Sequence, residues 1–250
     1  MVQRFYDELA SVYHLLFEDW SLEIQRQGRV LRTLLRSPEE TGPVLDVACG
    51  IGTQVFGLAA QGFVVEGSDL SPEEIRRAQK EAADRGLMLK LRTDDMRHLS
   101  TAPMGKYGAL VCMGNSIAHL PSEEDVLEML SAARLRLRRG GTILISLRDY
   151  ARALAERRTS TPPAFFGGTG HRRIVHHVWD WIDDRNYVFH VYLTTENNGD
   201  WRVHHFVGSS RAITPSEVAS LLEQAGYQSI QIHDPEATDY YQVIVAGQNP

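Results

Sequence analysis

The chain has 250 residues, 43% of them hydrophobic and 23% charged, the balance of a globular protein with one large core. A net charge of −6 with no long basic run argues against nucleic acid as a partner, and no apolar run nears the ~20 residues that a membrane span needs. Two cysteines, Cys49 and Cys112, exclude a disulfide framework; with a charged N-terminus that lacks a signal-peptide core, they point to a cytoplasmic protein.

Residues 4–36 have helical spacing, with Phe5, Leu9, Tyr13, Leu16 and Phe17 on one stripe and Ile24, Val30, Leu31, Leu34 and Leu35 on another. Residues 1–37 therefore read as an N-terminal helical lid, followed by a linker over 38–43. A strand–helix alternation fills 44–150. Strands are expected at 44–48, 63–68, 88–92, 109–113 and 142–147. Ser71-Pro72-Glu73-Glu74 and Ser122-Glu123-Glu124-Asp125 open two of the helices, each with a serine cap and acids in the first turn. Near-continuous apolar strands alternating with helices predict a mostly parallel sheet covered on both faces.

The pattern then changes. Three runs rich in β-branched and aromatic residues, 173–182, 187–196 and 201–209, are separated by Asp183-Asp184-Arg185-Asn186 and Asn197-Asn198-Gly199-Asp200. They predict a three-stranded antiparallel insertion over 172–210. A helix opened by Thr214-Pro215-Ser216-Glu217 and two last strands complete 214–250. The expected fold is a Rossmann-like α/β domain with a seven-stranded sheet. The insertion holds several histidines. Neighbouring His-His pairs on a strand point to opposite faces, and no metal site is expected.

The densest chemical signal is Val44-Leu45-Asp46-Val47-Ala48-Cys49-Gly50-Ile51-Gly52, followed by Gly67-Ser68-Asp69-Leu70-Ser71. An apolar strand runs into a glycine turn that lets a ligand approach the backbone. A second strand then ends in an acid placed to accept from ribose hydroxyls. A dinucleotide fingerprint would want a third glycine near position 55, which is Val55. The combination resembles the S-adenosylmethionine site of class I methyltransferases. On that resemblance Asp46, Ala48, Gly50, Gly52, Asp69 and Leu70 hold the donor. Asp95 with Met96 meets the adenine, Asp94 being the alternative acid, and Met113 lies near the sulfonium. Tyr13, Trp20 and Arg26 reach in from the lid; Arg29 is the other candidate for an arginine on the donor carboxylate.

Two further segments, Met113-Gly114-Asn115-Ser116-Ile117-Ala118-His119-Leu120-Pro121 and Leu147-Arg148-Asp149-Tyr150, are similar to the glycine and glycine/sarcosine N-methyltransferases. This resemblance spans nearly the whole chain. It implies that Arg148 holds an acceptor carboxylate, that Asn115 aims the amine, and that His119 closes the pocket. The implied reaction is methyl transfer from S-adenosylmethionine to the amine of a small amino acid of the glycine or sarcosine type, leaving S-adenosylhomocysteine. Methylation of a larger amine-bearing metabolite, such as an amino sugar, is the alternative. A non-catalytic S-adenosylmethionine-binding protein is a third reading, against which the intact acceptor segments argue. The sequence leaves the oligomeric state open.

Overall fold

A computed structural model describes residues 1–250. Helix α1 (Val2–Leu9), a 3₁₀ turn (Tyr13–Leu16) and α2 (Trp20–Leu34) make up the N-terminal segment. The helical stripe is interrupted because Asp19 starts α2 afresh, its carboxylate accepting from the backbone N–H groups of Ser21 and Leu22 at 2.8 and 3.0 Å. The expected linker contains a helical turn, α3 (Pro38–Thr41), held by a capping box between Ser37 and Glu40.

The alternating region follows as β1 (Val44–Asp46), α4 (Thr53–Ala60), β2 (Val65–Asp69), α5 (Pro72–Asp84), β3 (Lys90–Thr93), β4 (Tyr107–Cys112), α6 (Glu123–Arg136) and β5 (Leu137–Leu147). After α7 (Tyr150–Glu156) come β6 (Ala164–Phe166), β7 (Arg173–Trp181), β8 (Asn186–Asn197) and β9 (Asp200–Arg211). The chain ends with α8 (Pro215–Gln224), β10 (Gln228–His233), α9 (Pro235–Thr238) and β11 (Val243–Gln248).

Seven strands form one sheet in the order β10-β11-β5-β4-β1-β2-β3. Strands β1 to β5 are parallel to one another, and β11 runs antiparallel between β5 and β10. Strand order reverses beside β1, so a crevice opens at the carboxyl edge between the turns after β1 and β4. Both sheet faces are covered. One core layer joins β4 and β5 to α6, α8 and α1, and the other joins β1 and β2 to α2, α4 and α5. On the second face α2 and α4 touch backbone to backbone: a Cβ added at Gly28 would lie 2.4 Å from the Gly57 carbonyl oxygen. No helix is long and apolar enough to cross a membrane.

The insertion is a four-stranded antiparallel sheet, β6-β7-β8-β9, rather than three-stranded. The added edge strand β6 has only three residues and follows Pro162-Pro163, too short a run for alternation to register. The sheet's inner face carries Trp179, Tyr187, Phe189 and Val191 onto α1, where the Phe5 and Phe189 rings meet edge to face at 5.0 Å. His176 stacks on Tyr192 at the outer face, while the adjacent His177 points inward. The insertion thus forms a wall beside the crevice.

Candidate active site

Two adjoining cavities occupy the crevice. The larger, about 520 Å³, runs along the turns after β1, β2, β3 and β4 and is roofed by the N-terminal segment. Ala48, Gly50, Asp69, Leu70, Asp95, Met96, Met113 and Tyr13 all line it. The smaller, about 90 Å³, lies between α1, the Gly114-Asn115 turn, Arg148 and the insertion sheet. Tyr6, Tyr13, Gly114 and His119 belong to both.

The strand ends dictate the larger cavity. Asp69 is the last residue of β2, and its two carboxylate oxygens accept from the backbone N–H of Gly50 at 2.8 Å and of Ser71 at 2.9 Å. The acid therefore locks the glycine turn while keeping lone pairs free toward the cavity. Burial raises its pKa, and the N–H donors oppose that shift. Gly50 adopts φ +51, and a Cβ there would sit 2.9 Å from the buried Glu74 carboxylate. After β3 the two neighbouring acids part company. Asp94 turns away to accept from Ser100 N, Thr101 N and the Thr101 hydroxyl, whereas Asp95 lines the cavity, braced by Arg97. Cys49 also lines the cavity, and burial pushes its thiol pKa well up, consistent with an inert filler.

Several expected donor residues lie elsewhere. Asp46 is buried beneath the turn rather than in the cavity; one oxygen accepts from Ala48 N at 3.2 Å, the other has no partner, and burial raises its pKa to about 8. Gly52, at φ +100, packs against the Phe56 ring below the cavity. Trp20 stays behind the wall and donates from its indole to the Thr53 hydroxyl at 2.8 Å. Arg26 points outward to Glu23 and Asp239, and Arg29 is exposed. Helix α2 instead presents the neutral Gln27 to the cavity, in a buried network with Gln54 and the Tyr240 hydroxyl.

Residues Gly114 and Asn115 both take left-handed backbone conformations, at φ +70 and +73, which glycine and asparagine tolerate best. Strand β5 clamps this turn: the Ser146 hydroxyl accepts from Gly114 N at 2.8 Å and its carbonyl from Asn115 N at 3.1 Å. The Asn115 side chain is partly committed. Its oxygen accepts from Arg148 N at 3.0 Å and its amide donates to the Tyr150 hydroxyl at 2.9 Å. Asn115 thus positions Arg148 with one lone pair and one N–H, while its second N–H and second lone pair stay unassigned at the chamber wall.

Arg148 is the one charged side chain lining the small chamber. Its guanidinium lies over the Trp179 ring at 5.3 Å and pairs with no acid; Asp149 instead caps α7 through Arg152 N. His119 is held between Tyr6 and the insertion. Its Nδ1 faces the Ser209 carbonyl at 3.0 Å, which can only accept, so Nδ1 carries the proton and Nε2 accepts from the Tyr6 hydroxyl at 2.7 Å. Burial lowers its pKa to about 4, with a further push from Arg148, and the ring is neutral at physiological pH.

A family model described as a methyltransferase domain matches residues 44–141. Among curated proteins, the chain is 32% identical over 136 residues to a glycine/sarcosine N-methyltransferase of Parasynechococcus marenigrum (strain WH8102), covering 54% of this chain and 48% of that one. It is 29% identical over 171 residues to a glycine/sarcosine N-methyltransferase of Halorhodospira halochloris, covering 68% and 63%. The chain thus matches about half to under two thirds of the length of these relatives. Among solved structures, S-adenosylmethionine-bound CalS10 of Micromonospora echinaspora, an amino pentose methyltransferase involved in calicheamicin biosynthesis, superposes with a TM-score of 0.72 at 16% identity, over 96% of this chain and 95% of that one. These likenesses support a class I S-adenosylmethionine-dependent methyltransferase, with the matched methyltransferase domain spanning residues 44–141.

The larger cavity of this methyltransferase fits its cofactor. It falls within the ~300–1,000 Å³ typical of small-molecule sites. It also joins a strand-end acid, a glycine turn with no room for a side chain, and apolar walls at Met96 and Met113. Tyr6, Phe17, Gln27 and Tyr241 also line it, and sequence reasoning gave none of them a role in the site. Phe17 was visible only as a member of the N-terminal apolar stripe. Gln27 gave no signal, because a glutamine on a helix carries no motif.

Proposed function

We propose that this methyltransferase N-methylates a small amino acid of the glycine or sarcosine type. The observation that carries the reading is Arg148: an unpaired guanidinium in an otherwise uncharged, aromatic-walled chamber that adjoins the donor cavity. A planar guanidinium suits bidentate capture of a carboxylate. The chamber's small volume suits an acceptor of few atoms.

When bound, S-adenosylmethionine supplies an electrophilic methyl carbon. The chain's own contribution is positioning and exclusion of water, which can be worth ~7–11 kcal/mol in well-oriented systems. Asn115 fixes the backbone of Arg148, and Tyr6 with His119 closes the wall between the cavities. No imidazole in the chamber is a base at neutral pH: burial lowers His119 to about 4 and His177 to about 3. The acceptor amine must therefore arrive deprotonated.

Truncating one partner of a buried charge pair typically costs ~2–5 kcal/mol. Arg148→Ala should lower kcat/KM for the amino acid by about thirtyfold to several thousandfold at ~1.4 kcal/mol per decade. Affinity for S-adenosylhomocysteine should hardly move, and Arg148→Lys should restore only part of the loss. Steady-state kinetics with glycine and sarcosine beside their amides is the deciding experiment. Amides that serve as well as the acids would sink the carboxylate clamp.

One observation favours a second reading. The likeness to an amino pentose methyltransferase extends over 96% of the chain, insertion included. An amino sugar as acceptor would require the small chamber to widen by displacement of α1.

A further inference from the structure

Once the polar groups of the small chamber are paired off, few remain. The Tyr150 and Tyr187 hydroxyls bond each other at 2.7 Å, Asn115 is committed to Arg148 N and Tyr150, and Tyr6 is committed to His119. Besides Arg148 and the Tyr13 hydroxyl on the shared wall, two buried atoms have no partner: His177 Nδ1 and Trp179 Nε1, both on β7. Leaving such an atom unsatisfied typically costs ~1–3 kcal/mol, and these two belong to neighbouring residues that line one cavity.

The backbone of His177 is fully engaged. Its N–H donates to the Thr161 hydroxyl at 2.9 Å, and its carbonyl accepts from Thr161 N at 3.0 Å. The strand is thereby pinned from outside, which fixes the imidazole at the chamber wall. Burial and the nearby Arg148 both disfavour the imidazolium, so the ring stays neutral and keeps a bare nitrogen able to accept.

We propose that His177 is a specificity-determining residue of the acceptor site, its unpaired Nδ1 receiving an N–H of the acceptor amine while Arg148 holds the carboxylate. Trp179, whose ring the Arg148 guanidinium overlies, carries the second unpaired atom, its Nε1 donor. This inference rests on the amino-acid reading above and sharpens it. A neutral primary amine has two N–H groups and a secondary amine one; either can give an N–H to His177 and still aim its lone pair at the donor. A tertiary amine has none. His177 therefore favours primary and secondary amino acids over tertiary ones by about the two- to twelvefold that one neutral hydrogen bond is worth.

The test measures initial rates with glycine, sarcosine and dimethylglycine for the full chain and for His177→Leu and His177→Gln, with S-adenosylhomocysteine affinity by calorimetry as the control. The intact enzyme should prefer sarcosine to dimethylglycine by about two- to twelvefold, a preference that His177→Leu should erase. His177→Leu should lose about two- to twelvefold in kcat/KM for glycine and sarcosine, the equivalent of one neutral hydrogen bond. His177→Gln, whose amide oxygen also accepts, should recover part of it, with donor affinity unchanged throughout. Full use of dimethylglycine by the intact enzyme, or a His177→Leu variant within twofold of it on sarcosine, overturns the inference. Indifference to acid or amide with the preference for N–H intact would overturn the carboxylate reading alone.

Discussion

The Tyr6–His119–Ser209 chain of hydrogen bonds ties α1 to β9 across the boundary between the two cavities, and Tyr6→Phe isolates it. The substitution keeps the ring, and with it the edge-to-face contacts to Phe5 at 4.9 Å and to His119 at 5.4 Å. Only the hydroxyl that donates to His119 Nε2 at 2.7 Å is lost. Nδ1 remains bound to the Ser209 carbonyl, so the ring cannot turn over to satisfy Nε2 without abandoning that bond. A buried acceptor left bare costs about 1–3 kcal/mol. At about 2–4 °C per kcal/mol for a domain of this size, the melting temperature should fall by about 2–12 °C. Thermal unfolding of Tyr6→Phe, His119→Leu and the double variant gives the cycle. The double variant should lose less than the sum of the singles, with a coupling of about 0.5–3 kcal/mol. Additive losses, or a Tyr6→Phe protein that melts with the parent, would refute the latch.

Asp69→Ala should weaken S-adenosylhomocysteine binding by about 1.5–3 kcal/mol per lost hydrogen bond to the charged acid, and it should loosen the turn at Gly50 as well; unchanged affinity by calorimetry in a folded variant would remove Asp69 from the ribose role. Gly28→Ala would press a methyl group into the Gly57 carbonyl, so α2 and α4 must separate; a loss of about 1–3 kcal/mol in denaturant unfolding is expected. Activity at subsaturating amino acid should climb about tenfold per pH unit from pH 7 toward the amine's pKa of ~10, since only the neutral amine attacks and no chamber side chain takes its proton; a flat profile would indicate a base in the site. Stability should fall in acid as well. His119 and His177 have folded pKa values lowered to about 4 and 3, so the unfolded chain binds more protons, and stability present above pH ~6.5 is lost as pH falls toward those values. Melting temperatures from pH 7 to 4, compared with His119→Leu, check the sign.

Much of the architecture was legible because it follows from one-dimensional patterns. Apolar runs gave the strands, Ser-Pro-Glu-Glu and Thr-Pro-Ser-Glu gave helix starts, and the acid closing β2 could be placed from its strand. The short elements α3, α7 and β6 were not legible, since three to seven residues hold too little periodicity. The misplaced site residues share a geometric cause. Successive helix residues are rotated by about 100°, so Arg26 meets solvent while Gln27 meets the cavity. Sequence named the right helix and the wrong side of it. Asn115 failed differently. The residue type announces donors and acceptors, but only the fold reveals that one of each goes to Tyr150 and to the backbone of Arg148.

The insertion sheet builds a chamber wall that β1 to β3 do not touch. The larger cavity is lined chiefly by the turns of the parallel sheet and the N-terminal segment, and the small chamber by α1, Arg148 and the inward face of β7 and β8. Substitutions at His177, Trp179 or Phe189 can therefore retune what is methylated while leaving the donor turns intact, because changes at separated sites combine almost independently. Tyr6, Tyr13, Gly114 and His119 form the hinge between these two vocabularies.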